Sequence, residues 1–423
     1  MSFELDHPAK VKMNEVIING VDVLGLFVSI EIFENIFIGG VTGSIVIMDN
    51  DGISFIEDQN LEFIEDISFS FENISGDQIK FEGQMNGLRN EFTAQQIKMY
   101  TIDFTSKSVR NNELVFINKA FRDTLPEEII GEMMDKLDNT LIRGSFQSQG
   151  KPMTFVSGNR KPIDVIRYVL NHAIAFDGSP TYEENLDDSR ASGTSGFLCW
   201  ETLDGYRLSS LTNIFKDNNF SPTHVDYANY LANSPTGGET KIKTIMTYDF
   251  PKVGDYFQKA RSGAVKSNVV SFDLDTGEMS TIKYEATDGD VTPKLKSEVK
   301  SPSRTMVRMF SNEIFNNACQ KESKDVGDQS RMYLAQTISR QNTLSDTHGR
   351  ITIPAHYNMR AGDKIDIKIY KIQYGGTSRE PQSKHSGKYL ISQVGHHFFR
   401  SGYSYTKLAL IRDNKTQNQG DAL

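Results

Sequence analysis

Cysteine is scarce in this chain: Cys199 and Cys319 are the only two in 423 residues, and they lie far apart. Two cysteines exclude the dense disulfide framework of a small secreted scaffold, so a reducing compartment is expected. No stretch reaches the roughly 18 consecutive apolar residues of a membrane span. The opening "MSFELDHPAKVKMNEVIING" lacks a basic region followed by an apolar run. Neither membrane insertion nor a secretory signal is therefore expected. Positive charge is in deficit, with 46 Lys and Arg against 55 Asp and Glu, a formal net charge of −9. That balance excludes a nucleic-acid binder working through a broadly basic surface.

The common catalytic signatures are missing as well. No serine sits in GxSxG, and neither the phosphate-binding GxxxxGK[ST] nor a GxGxxG after a strand occurs. Cys199 stands beside the single tryptophan, Trp200, in the apolar run "FLCW", the setting of a buried residue rather than an activated thiolate. His348 and His356 have no Cys or Glu pattern around them. His396 and His397 are adjacent, so on a strand they point to opposite faces and do not share one ion; one packed ring and one solvated ring are expected. "FDLDTGE" places Asp273, Asp275 and Glu278 close together, but without the spacing of an EF-hand it reads as a turn. No catalytic, cofactor-binding or metal-binding residue is therefore assigned, and no cofactor is expected.

What is present is mainly β. "EVIING", "GLFVSIEIFENIFIGG", "GSIVIMDND", "EDISFSFENISGDQIKFEGQMNG" and "KMYTIDFTSK" are strand-like runs bounded by Gly, Asn and Asp. In "DISFSF", Ile67, Phe69 and Phe71 alternate with Asp66, Ser68 and Ser70, the period of a half-buried strand. Residues 1–110 thus form a first small barrel or sandwich. Residues 111–235 form an α+β domain. "LPEEIIGEMMDKLDN" aligns Leu125, Ile129, Met133 and Leu137 on one helix face, with Thr124 as its expected N-cap. "KPIDVIRYVLNHAIA" does the same with Ile163, Ile166, Leu170 and Ala173. An exposed loop at 181–196 and the strand-like "SGFLCWET" and "GYRLSSLTNIF" follow. "SPTGG" at 234–238 marks a linker. Residues 236–261 and 324–413 make a second β unit with a leading helix at 326–341, interrupted by an inserted β-rich segment at 262–323. A polar tail occupies 414–423. The order of elements also echoes: Asp66–Phe71, Lys80–Phe92 and Tyr100–Thr105 correspond to Asp363–Ile369, Lys388–Tyr405 and Thr406–Arg412.

The C-terminal part carries a family likeness. "MRAGDKIDIKI", then "GKYLISQVGHHF" and "YSYTKLALIRDN", preceded by "SRMYLAQTISRQ", resembles the end of the baseplate hub proteins of T4-like contractile-tailed phages. It is also similar to the matching half of type VI secretion spike proteins. "RSGAVKSNVVSFDLDTGE" resembles that family's inserted β segment, and "IDVIRYVLNHA" with "GFLCWETLDGYRLSSL" its second domain. The resemblance implies two similar small β-barrels, called tube domains, plus an α+β domain and an inserted β-rich domain. It implies a homotrimer without catalytic residues, with His396 structural, joining a sixfold tail tube or tube initiator above to a threefold spike below. Other baseplate proteins would surround it, and DNA would pass without specific binding. The implied location is the virion, after assembly in the host cytoplasm. Two alternatives stay open: the hub of a phage-like secretion or injection device, and a tail-associated glycan hydrolase or glycan-binding β-protein. A cleft with two carboxyls about 5–10 Å apart would mark the hydrolase.

Overall fold

A computed structural model describes residues 7–49, 55–94, 97–145, 152–173, 196–210, 214, 221–226, 243–253, 256–274, 277–286, 293–310, 337, 341, 344, 347–370, 381–382 and 384–412. Most of the helix expected at 326–341, the loop at 181–195, the linker at 234–238, Asp275, Cys319 and the tail at 414–423 lie outside the described residues.

The first elements are β1 (Val11–Ile18), β2 (Val21–Asp22), β3 (Phe27–Asn35), β4 (Thr42–Asp49), the single turn α1 (Phe55–Asp58), β5 (Asp66–Asn73), β6 (Gln78–Ala94) and β7 (Ile97–Ser106). Asn19 and Gly20 join β1 to β2 with positive φ at both positions, the backbone that a two-residue Asn-Gly hairpin turn requires. Ile67, Phe69 and Phe71 of β5 point into a core shared with Phe81 and Phe104. Every pairing in the path β1–β5–β6–β7–β4–β3 is antiparallel.

The middle of the chain adds α2 (Lys107–Leu114), β8 (Ala120–Thr124), α3 (Pro126–Leu137), β9 (Leu141–Ser145), β10 (Met153–Val156), α4 (Pro162–His172), β11 (Phe197–Thr202) and β12 (Gly205–Ser210). Ile129, Met133 and Leu137 of α3 are fully buried against Val165, Ile166 and Val169 of α4, while Leu125 stays partly exposed. Thr124 is not the N-cap of α3. The cap is Leu125, in extended conformation and without a side-chain cap bond, because Thr124 ends β8 and its hydroxyl donates to Arg122 O at 3.0 Å. Pro126 fills the first helical position, where its missing N–H costs nothing.

The remainder consists of β13 (Ser221–Asp226), β14 (Thr244–Ile245), β15 (Thr247–Val253), α5 (Tyr256–Arg261), β16 (Lys266–Asp273), β17 (Met279–Glu285), α6 (Pro293–Glu298), β18 (Arg304–Phe310), β19 (Thr347–Pro354), β20 (Lys364–Lys368), β21 (Gly387–Phe399) and β22 (Tyr403–Ile411). Among the described residues, β16, β17 and β18 pair only with one another, and they carry a small core of their own.

The pairing order of the first strands is repeated here. β13–β20–β21–β22–β19–β15 follows the same permutation of chain order as β1–β5–β6–β7–β4–β3. Five strands also agree in sense, but β13 runs parallel to β20 whereas β1 runs antiparallel to β5. The second path closes on itself: β13 pairs with β14, and Met246, between β14 and β15, donates its amide to Thr352 O of β19. The first path closes through the second. The far half of β21 pairs with β3 from Gln393↔Asn35 to Phe399↔Ser29, and the end of the β21–β22 hairpin reaches β1 through Val11 N to Gly402 O at 2.9 Å and Ser404 N to Ala9 O at 2.7 Å. One hairpin therefore belongs to both closed circuits. A boundary that assigns all of 324–413 to the second unit divides the first circuit from the strands that complete it.

Phe398 sits where that closure is made, stacked on Phe71 with ring centroids 4.2 Å apart and touching Phe69. Phe398→Ala is expected to cost about 3–5 kcal/mol, read from urea unfolding. Unfolding should remain one transition, because both circuits share the hairpin. A loss below about 1 kcal/mol would show that the hairpin end does not hold the first circuit.

Candidate functional site: the boundary between the circuits and its polar joint

Val394, His396 and Phe398 lie at alternate positions of β21 and so face the same side. Val394 belongs to the second core and Phe398 to the first. His396 sits at the boundary, 1% exposed, with Nδ1 3.0 Å from Thr406 Oγ1 and its ring edge-on to Tyr357. Burial holds its pKa well below 6.5, so the ring is neutral. Thr406 also accepts the His356 amide at 3.2 Å, which ties the segment after β19 to the same boundary. His348 is half-buried in β19, opposite Ile411, away from this cluster.

His397 faces the other side of β21, as strand geometry requires, yet it is not solvated. It is 4% exposed, with Nδ1 2.8 Å from Glu31 Oε1 and its ring edge-on to Phe33. β21 has neighbours on both edges, and the side chains of β3 cover the face that an outer strand would leave open. The cleft beside it, about 380 Å³, is lined by Phe33, Gly395, Lys407, Arg350 and Asp249 among others, and holds a single carboxylate. Among the described residues, no group of three or more His, Cys, Asp or Glu is placed to hold a metal ion. Asp273 and Glu278 flank the β16–β17 turn, where Asp273 N donates to Glu278 O at 2.9 Å.

Two glutamates that sequence reasoning did not single out form the joint between the three parts of the molecule. Glu34, at the end of β3, accepts the Leu203 amide at 2.9 Å and the Ala361 amide at 2.8 Å. Arg360 approaches it at 3.7 Å and clasps Asp204 with two bonds of 2.9 Å. Glu201, on β11, accepts from Val41 N, Ser106 Oγ and Asn139 Nδ2. Between them Trp200 enters the second core and donates its indole N–H to Ala361 O at 2.9 Å. Gly362, with φ +90°, lets the chain pass beneath that ring, since a Cβ there would lie 2.4 Å from it. Cys199, next to Trp200, packs toward the helical core, and burial pushes its thiol up to about 12, the reverse of nucleophile activation. Burial also raises the carboxyls of Glu34, to about 7, and of Glu201. Raised carboxyl pKa values are what a hydrolase would show, but these two are 1% and 3% exposed and their oxygens are taken by structural donors. Neither offers a free oxygen to substrate.

No protein-family model matches this chain, and no curated protein does. Solved structures do match over nearly the whole length. The 43 kDa tail protein of prophage MuSo2 from Shewanella oneidensis aligns with 96% of this chain and 99% of its own at 8% identity, with a TM-score of 0.56. A tail protein from Neisseria meningitidis MC58 aligns with 96% and 97% at 10% identity, with a TM-score of 0.55. The fold is that of phage tail proteins. The likeness to tail baseplate proteins read from the sequence is met at this level, in a mainly β chain with large antiparallel sheets. Among the described residues, no helix is long and apolar enough to cross a membrane.

Glu34 gives the joint a pH signature. Its folded pKa of about 7 lies above the usual 4.5, so its contribution to stability is complete below pH 4.5 and declines as pH rises to about 7. The full decline is about 3 kcal/mol. Glu34→Gln, neutral at every pH, should flatten that slope in urea midpoints measured between pH 4.5 and 7.5. Equal slopes for the two proteins would mean that Glu34 does not titrate in this window.

Proposed function

We propose that the chain is the central hub of a contractile-tail baseplate, a structural homotrimer without enzymatic activity. The observation that carries the reading is the repeated strand order: two closed circuits in one chain, joined by one hairpin. We read each circuit as a small β-barrel, one tube domain at about residues 1–110 and the other at 236–261 with 324–413. The hairpin end is lent to the first. Residues 111–235 and 262–323 are the accessory domains. Three chains then present six near-equivalent barrels, which adapts a sixfold tail tube or tube initiator above to a threefold spike below. Heterologous contacts that close by rotation make such a ring. Within the virion, other baseplate proteins surround it and DNA passes through its centre without specific binding. Assembly takes place in the host cytoplasm.

The full-length tail-protein alignments support the reading through the fold, and the closed His396 boundary and sealed glutamates favour a structural role over chemistry. Permanent interfaces of this kind bury more than about 2,000 Å². Native mass measurement is expected to give about three times the 47.6 kDa of the chain, and electron micrographs a ring with pseudo-sixfold symmetry. A chain that stays monomeric at micromolar concentration, alone and co-expressed with tail-tube protein, would overturn the reading.

A further inference from the structure

At one end of the second circuit Gly387 opens β21, and Arg412 follows the last residue of β22. Arg412 is only 8% exposed. An arginine buried to that degree normally has a carboxylate or phosphate beside it, because a desolvated charge is costly to leave unpaired. Among the described residues, Arg412 has no carboxylate partner. Its acceptors are the Lys384 carbonyl, a long 3.4 Å from Nη1, and the Tyr389 hydroxyl. The guanidinium also lies over the Tyr389 ring, with Cζ 5.3 Å from its centroid. The Tyr389 hydroxyl donates its own proton to His385 O at 2.9 Å, which leaves it free to accept from Arg412. A guanidinium carries five N–H donors, so two acceptors leave most of that capacity unused. Nε and Nη2 are not sealed off by protein.

The surroundings hold the arginine in this pose. Gly387 has a φ of +129°, and a Cβ there would stand 2.8 Å from Arg412 Nη2, so the absence of a side chain lets the guanidinium lie flat against the backbone. The turn before β21 is fixed by its own bonds. Ser386 N and His385 N both donate to Gln382 O, at 2.8 Å and 3.2 Å. His385 Nδ1 bonds to Gln382 Oε1 at 2.9 Å, and its ring stacks on Phe250 at 4.6 Å. The same turn presents Lys384, exposed and without an ion pair among the described residues. Burial, Lys384 and Arg412 all push the His385 pKa below 6.5, and no carboxylate offsets them. His385 is therefore neutral near pH 7, and the positive charge here is that of Arg412 and Lys384.

The two cations differ in what they offer. The planar fork of an arginine engages two oxygens of one ligand, and a lysine adds a mobile point charge, a combination suited to phosphate. Two positive charges match the roughly −1.5 to −2 of a terminal phosphate at pH 7. A carboxylate or a phosphodiester carries a single negative charge and would neutralise only one of them.

We infer that Arg412 and Lys384 form a binding site for a doubly charged phosphate, either free or as a terminal monoester, at the Gly387 end of the second circuit. The site lies within one chain and does not depend on how the chain assembles.

Titration calorimetry of the full chain with inorganic phosphate, in chloride buffer of constant ionic strength at pH 7.5, should show saturable binding. Lys384→Gln, at an exposed position, should weaken it about tenfold or more while leaving the urea midpoint in chloride unchanged. Arg412→Lys, which keeps the charge and loses the fork, should weaken it at least as much. Competition by a short oligonucleotide with a 5′-phosphate, but not by the same oligonucleotide without it, would assign the monoester as a ligand. Competition by neither would assign free phosphate. Competition by both would make this a phosphodiester site and overturn the inference, as would acetate binding as tightly as phosphate. No saturable phosphate binding by the wild type, or binding that neither substitution alters, would also overturn it.

Discussion

Two closed circuits share one pair of strands, and the rest of the architecture follows from that constraint. β21 and β22 are long enough that one end serves the second core and the other end the first. A pair of strands with neighbours on both edges has no free edge to protect. It also has no solvated face along much of its length. That is why both adjacent histidines are buried, one as a neutral plug between two apolar cores and the other beneath β3. Neither circuit can shift register without moving the other, because a one-residue slip would turn every side chain of the hairpin to its opposite face.

The α+β part is fixed to this frame by buried polar contacts more than by area. Three consecutive residues of β11 serve three different neighbours: Cys199 the helical core, Trp200 the second circuit, Glu201 the first. Buried carboxylates are costly to desolvate and add little net stability even when fully paired. Their value here is positional. Glu34 and Glu201 accept backbone amides from particular loops, and a rotated arrangement would leave those amides and carboxyls buried without partners.

Local pattern made part of this legible. The alternation in β5, the apolar stripe of α3 and the echo of three strands near each end could be read from spacing, because each depends on neighbours two to four residues apart. Closure of the first circuit could not. It depends on Val11 meeting Gly402 and on Phe398 meeting Phe71, and nothing near those residues in sequence announces it. Thr124 failed as a cap because it is the last residue of β8 and its hydroxyl is already engaged by Arg122 O. Glu34 and Glu201 resembled any surface glutamate, since burial of a carboxylate depends on donors from distant segments.

The shared hairpin also puts a clock on synthesis. β1 emerges first, and the residues that complete its sheet, Gly402 and Ser404, follow it by nearly 400 positions. At about 5–20 residues per second, that leaves the first circuit open for roughly 20–80 s in each round of translation. An open β edge is an aggregation hazard for as long as it lasts. The waiting segment, residues 1–110, has 18 Asp and Glu against 7 Lys and Arg, a net charge of −11, and like charge on neighbouring copies opposes their association. That repulsion is in place as soon as the segment is made, long before its sheet can close.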